Sequence, residues 1–129
     1  MTKLTEKDVE LLKRPNLAII GTIRADGTPH LTPTWVDTDG EHVLVNTAEG
    51  RAKPRNLRRD PRVSVSVVDH DDPYWWLSIT GTAELTHDGA EEHIHELSRR
   101  YRGRDYDKPK EPRRILVRIT PDRISRYGH

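Results

Sequence analysis

Residues 62–69, RVSVSVVD, place Val at 63, 65 and 67 with Ser between them. Side chains of an extended strand alternate between two faces, so this segment fits a strand with one apolar and one polar side. On a helix the same three Val would spread around a 3.6-residue turn. Several other segments share this extended character. Asn16 to Arg24 (NLAIIGTIR) is apolar and β-branched, Ala25-Asp26-Gly27 supplies a turn, and Thr28 to Asp37 (TPHLTPTWVD) runs back as the second arm of a hairpin. After a second Gly turn at Thr38-Asp39-Gly40, Glu41 to Thr47 (EHVLVNT) sets Val43 and Val45 on one face and Leu44 on the other. Tyr74 to Leu85 (YWWLSITGTAEL) reads as a long strand with Gly81 as a bulge or bend. Ile115 to Thr120, leading into Pro121-Asp-Arg-Ile-Ser-Arg-Tyr, gives one or two closing strands.

Helical signals are short and lie between these strands. Thr5 is a capping hydroxyl three residues ahead of Asp8, and Val9, Leu11 and Leu12 follow before Arg14-Pro15. Ala48 to Asp60 (AEGRAKPRNLRRD) carries Pro54 where it suits a first helical turn and ends at Asp60-Pro61. A third helix starts at Asp88-Gly-Ala-Glu, carries Ile94 and Leu97, and runs to about Tyr101. The pattern predicts an α+β, mainly β protein: a six-stranded antiparallel barrel with short flanking helices.

At 129 residues the chain is expected to form one domain, residues 1–129. Only 33% of residues are hydrophobic and Phe is absent, so the core is thin and a second subunit would help to bury apolar surface. The absence of Cys removes disulfides, thiolate zinc sites and thiol nucleophiles. The chain opens on charged residues, and no uninterrupted apolar run reaches about 18 residues, so a soluble cytoplasmic protein without a membrane span is expected. The formal charge of +1 calls for neither nucleic acid nor membrane. Any anion site is therefore local.

One such site is suggested by Arg51, Lys53 and Arg55, which lie within five residues at a strand-to-helix junction. Helix amides and side-chain cations together favour a phosphate there, and the alternative is a solvated basic flank. Tyr74, Trp75 and Trp76 are consecutive, so at least one aromatic ring should leave the barrel interior, toward a subunit interface or a ligand. Nucleophile elbow, Walker loop and dinucleotide Gly fingerprint are all missing. Among seven His, His93 and His95 are two apart on a helix and diverge, and His70 sits in a turn, so exposed rather than metal-binding His is expected.

The tokens Ile20-Gly-Thr-Ile-Arg-Ala-Asp-Gly-Thr-Pro29, Pro33-Thr-Trp-Val36, Asn46-Thr47 and Arg51-Ala-Lys53-Pro-Arg-Asn56-Leu-Arg-Arg-Asp-Pro-Arg62 occur in this order, followed by Gly81-Thr-Ala-Glu84 and Ile119-Thr-Pro-Asp122. In that order and spacing the chain resembles the F420-dependent branch of the pyridoxamine-5′-phosphate-oxidase-like family, the flavin/deazaflavin oxidoreductases with a split β-barrel. The resemblance implies that Lys53 is the cofactor-phosphate lysine, with Arg51, Arg55 and Asn56 beside it. It implies that Asn46 and Thr47 face the cofactor and that Thr32, Pro33, Thr34 and Trp35 run under its ring, with Trp75 and Trp76 offered to the cofactor or to the partner subunit.

The activity implied is a coenzyme F420H2-dependent reductase, a homodimer whose groove holds the cofactor and which passes a hydride to a small unsaturated or heteroaromatic acceptor. The alternatives are an FMN-binding reductase and a non-catalytic flavin- or F420-binding protein; an oligonucleotide-binding barrel has weaker support. True pyridoxamine-5′-phosphate oxidase activity is not expected, because Ile124-Ser-Arg-Tyr-Gly-His129 stands where its substrate-binding signature should appear. No catalytic residue is selected by the sequence, although Tyr127 and His129 are proton-donor candidates. The stretch Arg99 to Arg114, with eight Arg or Lys against three Asp or Glu, is either a mobile solvated loop or a contact for the anionic tail of F420.

Overall fold

The computed structural model describes residues 2–107 and 112–128. Seven antiparallel strands, β1 (Ala18–Ile23), β2 (Pro29–Thr34), β3 (Asp37–Thr38), β4 (Val43–Ala48), β5 (Arg62–Val68), β6 (Trp76–Thr86) and β7 (Arg114–Tyr127), form one sheet in the order β2-β1-β5-β6-β7-β4-β3. Three helices, α1 (Glu6–Lys13), α2 (Ala52–Arg59) and α3 (Ala90–Arg102), interrupt the strand sequence.

The count of seven, where six strands are expected, has a local cause. The segment read as one strand from Thr28 to Asp37 pairs with β1 only as far as Thr34; Asp37 and Thr38 pair instead with Leu44 and Val43 of β4. β2 and β3 therefore lie on opposite edges of the sheet, yet only Trp35 and Val36 separate them. Three Cα steps of about 3.8 Å reach at most roughly 11 Å. The two edges must come together, and the sheet curls into a split barrel.

The alternation read in β5 is present: Val63, Val65 and Val67 are buried and the residues between them exposed. They join Ile20, Val43, Val45, Leu77, Ile79, Ile115, Val117 and Ile119 in the interior, with Leu11 and Leu12 of α1 and Leu57 of α2 entering the same core. Each fully buried side chain of this kind contributes about 1.5–3 kcal/mol. The Thr5 cap of α1 is realised reciprocally, Asp8 N–H donating to Thr5 Oγ1 at 3.1 Å and Thr5 N–H to Asp8 Oδ2 at 2.9 Å. Both faces of β4 are covered, because Leu44 packs with Ala90 and Leu116 beneath α3.

Gly81 is a bulge, as read. Pairing of β6 with β7 shifts after Thr80, which faces Arg123 while Gly81 faces Pro121, so Asp122 is the extra residue. The two strands approach closely at this point, since a Cβ on Gly81 would collide with the Thr120 carbonyl.

Glu49 fixes the turn between β4 and α2. It accepts from Arg58 Nη1 and Nη2 at 2.7 and 2.8 Å and pairs with His87 Nε2 at 2.7 Å. The Arg58 hydrogen bonds, then that of His87, hold its carboxyl at about 2, below its ordinary value of 4.5. A depressed carboxyl stabilises the fold fully above its unfolded pKa and loses that contribution as pH falls toward the folded value. In thermal melts Glu49→Gln should thus lie below wild type at pH 7, and the gap should close between pH 4.5 and about 2. A gap independent of pH would remove this ion pair from the turn's stability.

Candidate functional site

A cleft of about 380 Å³ opens where the barrel edges meet. Pro33, Thr34 and Trp35 come from the end of β2, Asn46 from β4, and Arg51 and Lys53 from the start of α2. Leu17, Ile94, Leu97, Arg102, Tyr106 and Arg114 complete its wall.

The apolar side of the cleft is fixed by Tyr101. Its ring stacks on Trp35 at 5.2 Å, and its hydroxyl donates to Asn16 O at 2.5 Å and accepts from Val36 N–H at 3.1 Å. Tyr101 thus bridges the seam and holds the Trp35 indole in place. Burial raises the phenol pKa despite the hydrogen bond from Val36, so the group stays neutral.

The opposite side is cationic. Arg51 is the N-cap of α2 and no side-chain hydrogen bond caps that helix, so its first-turn amides carry no side-chain acceptor there. Lys53 is half-buried, and its pKa is lowered by burial and then by Arg51. Arg114 is only 6% exposed, and burial lowers its pKa too. Its partners are neutral: Nε donates to Asn46 Oδ1 at 2.9 Å, Nη1 to Tyr106 Oη at 3.4 Å, and the guanidinium lies 5.0 Å from the Tyr106 ring. Among the described residues no carboxylate pairs with Arg51, Lys53 or Arg114, whereas Arg14, Arg58, Arg62, Arg99, Arg100 and Arg126 all have one. A buried cation without a close counter-ion is costly; this applies to Arg114, which Glu91 influences only from beyond ion-pair distance, and in part to half-buried Lys53. With exposed Arg51 beside them, the cluster fits a ligand that brings negative charge.

The remaining predicted site residues are placed elsewhere. Arg55 and Asn56 face a different cleft, about 510 Å³, with Arg24, Asp26, His30 and Arg59. Two helical residues turn the chain by about 200°, so Arg55 cannot share the Lys53 face. Asn56 is buried and donates to Thr22 Oγ1 at 3.0 Å. This second cleft is larger, but its arginines are exposed and Arg59 is already bound to Asn56 and the Ile23 carbonyl. Thr32 and Thr47 are not in the cleft wall; their hydroxyls are buried without partners.

The aromatic trio does not lie within one strand, because β6 begins at Trp76. Trp75 packs against the core under Arg14, whose guanidinium is 5.7 Å from its ring, and Trp76 points outward and stacks on Tyr127 at 6.0 Å. Neither Trp lines the 380 Å³ cleft of its own chain, nor does Tyr127; His129 lies outside the described residues. The expectation of exposed His holds for His70 and fails for His93, which is 6% exposed and bonded to Asp37 and Asn46. A helix face that looks polar in sequence is here buried against β4. Arg114 was not singled out in sequence beyond ending a charged stretch read either as a solvated loop or as a contact for the F420 tail: an Arg at a strand start looks solvated until the helix and the Tyr106 ring that cover it are known. Of the stretch from Arg99 to Arg114, Arg102, Tyr106 and Arg114 reach the cleft, Arg99 pairs with Asp105 and Arg100 with Asp37, and residues 108–111 lie outside the described residues.

The sequence matches the pyridoxamine 5′-phosphate oxidase family over residues 4–127. The chain belongs to that family. It is 27% identical over 125 residues to an F420H(2)-dependent biliverdin reductase of Mycobacterium tuberculosis (strain CDC 1551 / Oshkosh), covering 95% of this chain and 88% of that protein. Among solved structures it resembles an F420 reductase, with 32% identity, a TM-score of 0.81, and coverage of 90% of this chain and 94% of the other. A hypothetical protein of Mycobacterium tuberculosis superposes with a TM-score of 0.76 at 30% identity, covering 97% and 85%. No helix among the described residues is long and apolar enough to cross a membrane.

Proposed function

We propose that this family member is a coenzyme F420H2-dependent reductase, with the cofactor in the cleft under Trp35 and a small unsaturated or heteroaromatic molecule as acceptor. The observation that carries the reading is Arg114, a buried guanidinium with no carboxylate of the described residues within ion-pair distance, converging with Arg51 and Lys53 on one cleft. The donor set fits the group: three cations suit its phosphate and carboxylates, and Pro33, Trp35, Leu17, Ile94 and Leu97 offer an apolar wall to its ring. The likeness to two proteins named for F420 supports the same cofactor.

When bound, the reduced deazaflavin supplies the hydride, so the protein's work is to bind and orient. Lys53 and Arg51 would hold the phosphate end, Arg102 and Arg114 would meet further negative charge, and Trp35, braced by Tyr101, would offer its face to the ring. Among the described residues no carboxylate or imidazole lines the cleft. A proton, where the acceptor needs one, is assigned to solvent or to the Tyr106 hydroxyl.

The cleft is completed by a second copy of the chain in this reading. On the outer sheet face Leu17 (62% exposed) stands one residue beyond the Ala18–Val67 pair, beside Val68 (44%), which pairs with Trp76 and through it with Tyr127 (57%). Ile19 (43%) and Leu31 (64%) extend this apolar band. Such a row of exposed hydrophobics suits a self-complementary interface. Leu17 belongs to both the band and the cleft wall, so a subunit seated on the band would cover the cofactor ring.

Titration with F420 and with FMN, followed by fluorescence, tests the assignment. Saturable binding of F420, tighter than FMN, is expected. Preference for FMN would turn the chain into a flavin-binding member, and indifference to both would overturn the reading.

A further inference from the structure

Arg114 is held by Asn46, which lines the cleft, and Asn46 is held in turn by His93 and Asp37, which do not. We propose that His93, anchored by Asp37, is the positioning residue that points the Arg114 guanidinium at the ligand's anionic group, acting through Asn46; this rests on the cleft being the cofactor site.

The hydrogen-bond pattern allows one arrangement. The Ala90 carbonyl can only accept, so the group 2.9 Å from it is the Asn46 amide nitrogen. Arg114 Nε–H can only donate, so the group 2.9 Å from it is Asn46 Oδ1. The second amide hydrogen of Asn46 then points at His93 Nδ1, 3.2 Å away, which must present a bare lone pair. The ring proton is left on Nε2, 3.1 Å from Asp37 Oδ2. Asp37 stays an acceptor. Burial would raise its carboxyl, but hydrogen bonds from His93 and Lys13, the Thr38 N–H and the charge of Arg100 outweigh this and hold it well below the carboxylate range. Lys13 Nζ and Arg100 Nη2 both donate to its other oxygen at 2.9 Å. The chain of contacts therefore runs from α1 and α3 through β3 and β4 to the first residue of β7.

The consequence for Arg114 is directional. Its Nε is committed to Asn46, and Nη2 has no acceptor among the described residues, so the outer edge of the guanidinium is free for an anion. Without the His93 lone pair, Asn46 keeps a buried N–H unsatisfied, which favours rotation of the amide and release of Nε.

Five proteins decide the matter: wild type, His93→Leu, which removes the lone pair, His93→Asn, whose carbonyl can stand in for Nδ1, and Arg114→Met with and without His93→Leu. In the cofactor-free protein, NMR should show a protected Arg114 Nε–H in wild type and His93→Asn and lose it in His93→Leu. F420 affinity should fall roughly five- to tenfold in His93→Leu and stay within about threefold in His93→Asn, the scale of one hydrogen bond. In an Arg114→Met background the Leu substitution should change affinity less than about twofold, since coupled sites are not additive. A protected Nε–H and unchanged affinity in His93→Leu would overturn the proposal, as would an equal loss in the Arg114→Met background. Should His93→Leu fail to fold, the His93 nitrogen shifts of wild type decide, and a protonated Nδ1 rejects the proposal. If wild type binds neither F420 nor FMN, the cofactor reading fails, and the Nε–H signal still shows separately whether His93 orients Arg114.

Discussion

Replacing Lys53 by Ala should weaken F420 binding by about 1.5–3 kcal/mol, roughly ten- to 150-fold, while leaving the melting temperature nearly unchanged. Binding suffers because a charge-assisted contact to phosphate is lost from a half-buried site, where water screens it poorly. Folding does not, because Lys53 has no ion-pair partner among the described residues and its charge already costs something, its pKa being lowered by burial and by Arg51. The two outcomes together separate a ligand-holding lysine from a structural one. Equilibrium titration beside calorimetry measures both, and an unchanged dissociation constant would move the phosphate to another part of the protein.

Gly81→Ala is expected to produce the largest loss of stability. The new Cβ would meet the Thr120 carbonyl oxygen, with the Thr120 carbonyl carbon at 3.0 Å and Ile119 Cγ2 at 3.1 Å. The first two are backbone atoms of β7, which cannot swing aside as a side-chain tip can. The strands must therefore separate where β6 and β7 bend together. Overpacking of this kind costs about 1–3 kcal/mol and here belongs at the upper end, a fall of roughly 10 °C in melting temperature. Gly27→Ala is the control, since its Cβ would meet nothing within 4 Å and only the left-handed backbone, φ +87°, resists it. That substitution should cost about 1–2 kcal/mol. Equal losses at the two positions would mean that the bulge is not a point of close approach.

How much of this was legible in the sequence depends on the range of the interaction concerned. The Thr5 cap, the β5 alternation, the Gly81 bulge and the Pro54-bearing helix all rest on contacts within a few residues or on the two-residue period of a strand, and each is found where it was read. Arg51 and Lys53 share a cleft because both sit at one helix start. Arg55 was grouped with them by proximity in sequence, and the helical period carries it away from Lys53, although it still lines a separate depression with Arg51. Trp75 and Trp76 were read as strand neighbours, and the turn before β6 gives them different surroundings.

What the sequence determined by itself is therefore the three helices, every strand but β3, the family resemblance and the basic junction at Arg51 and Lys53. The tertiary structure alone decided that the strand after Thr34 leaves one sheet edge for the other, that Arg114 is buried, and that His93 is not a surface residue. The physical reason is common to all three. Each depends on contacts between residues dozens of positions apart: β3 reaches the far edge because its hairpin partner β4 pairs with β7, and His93 and Arg114 are desolvated against Asp37 and Asn46, so no local pattern encodes these outcomes.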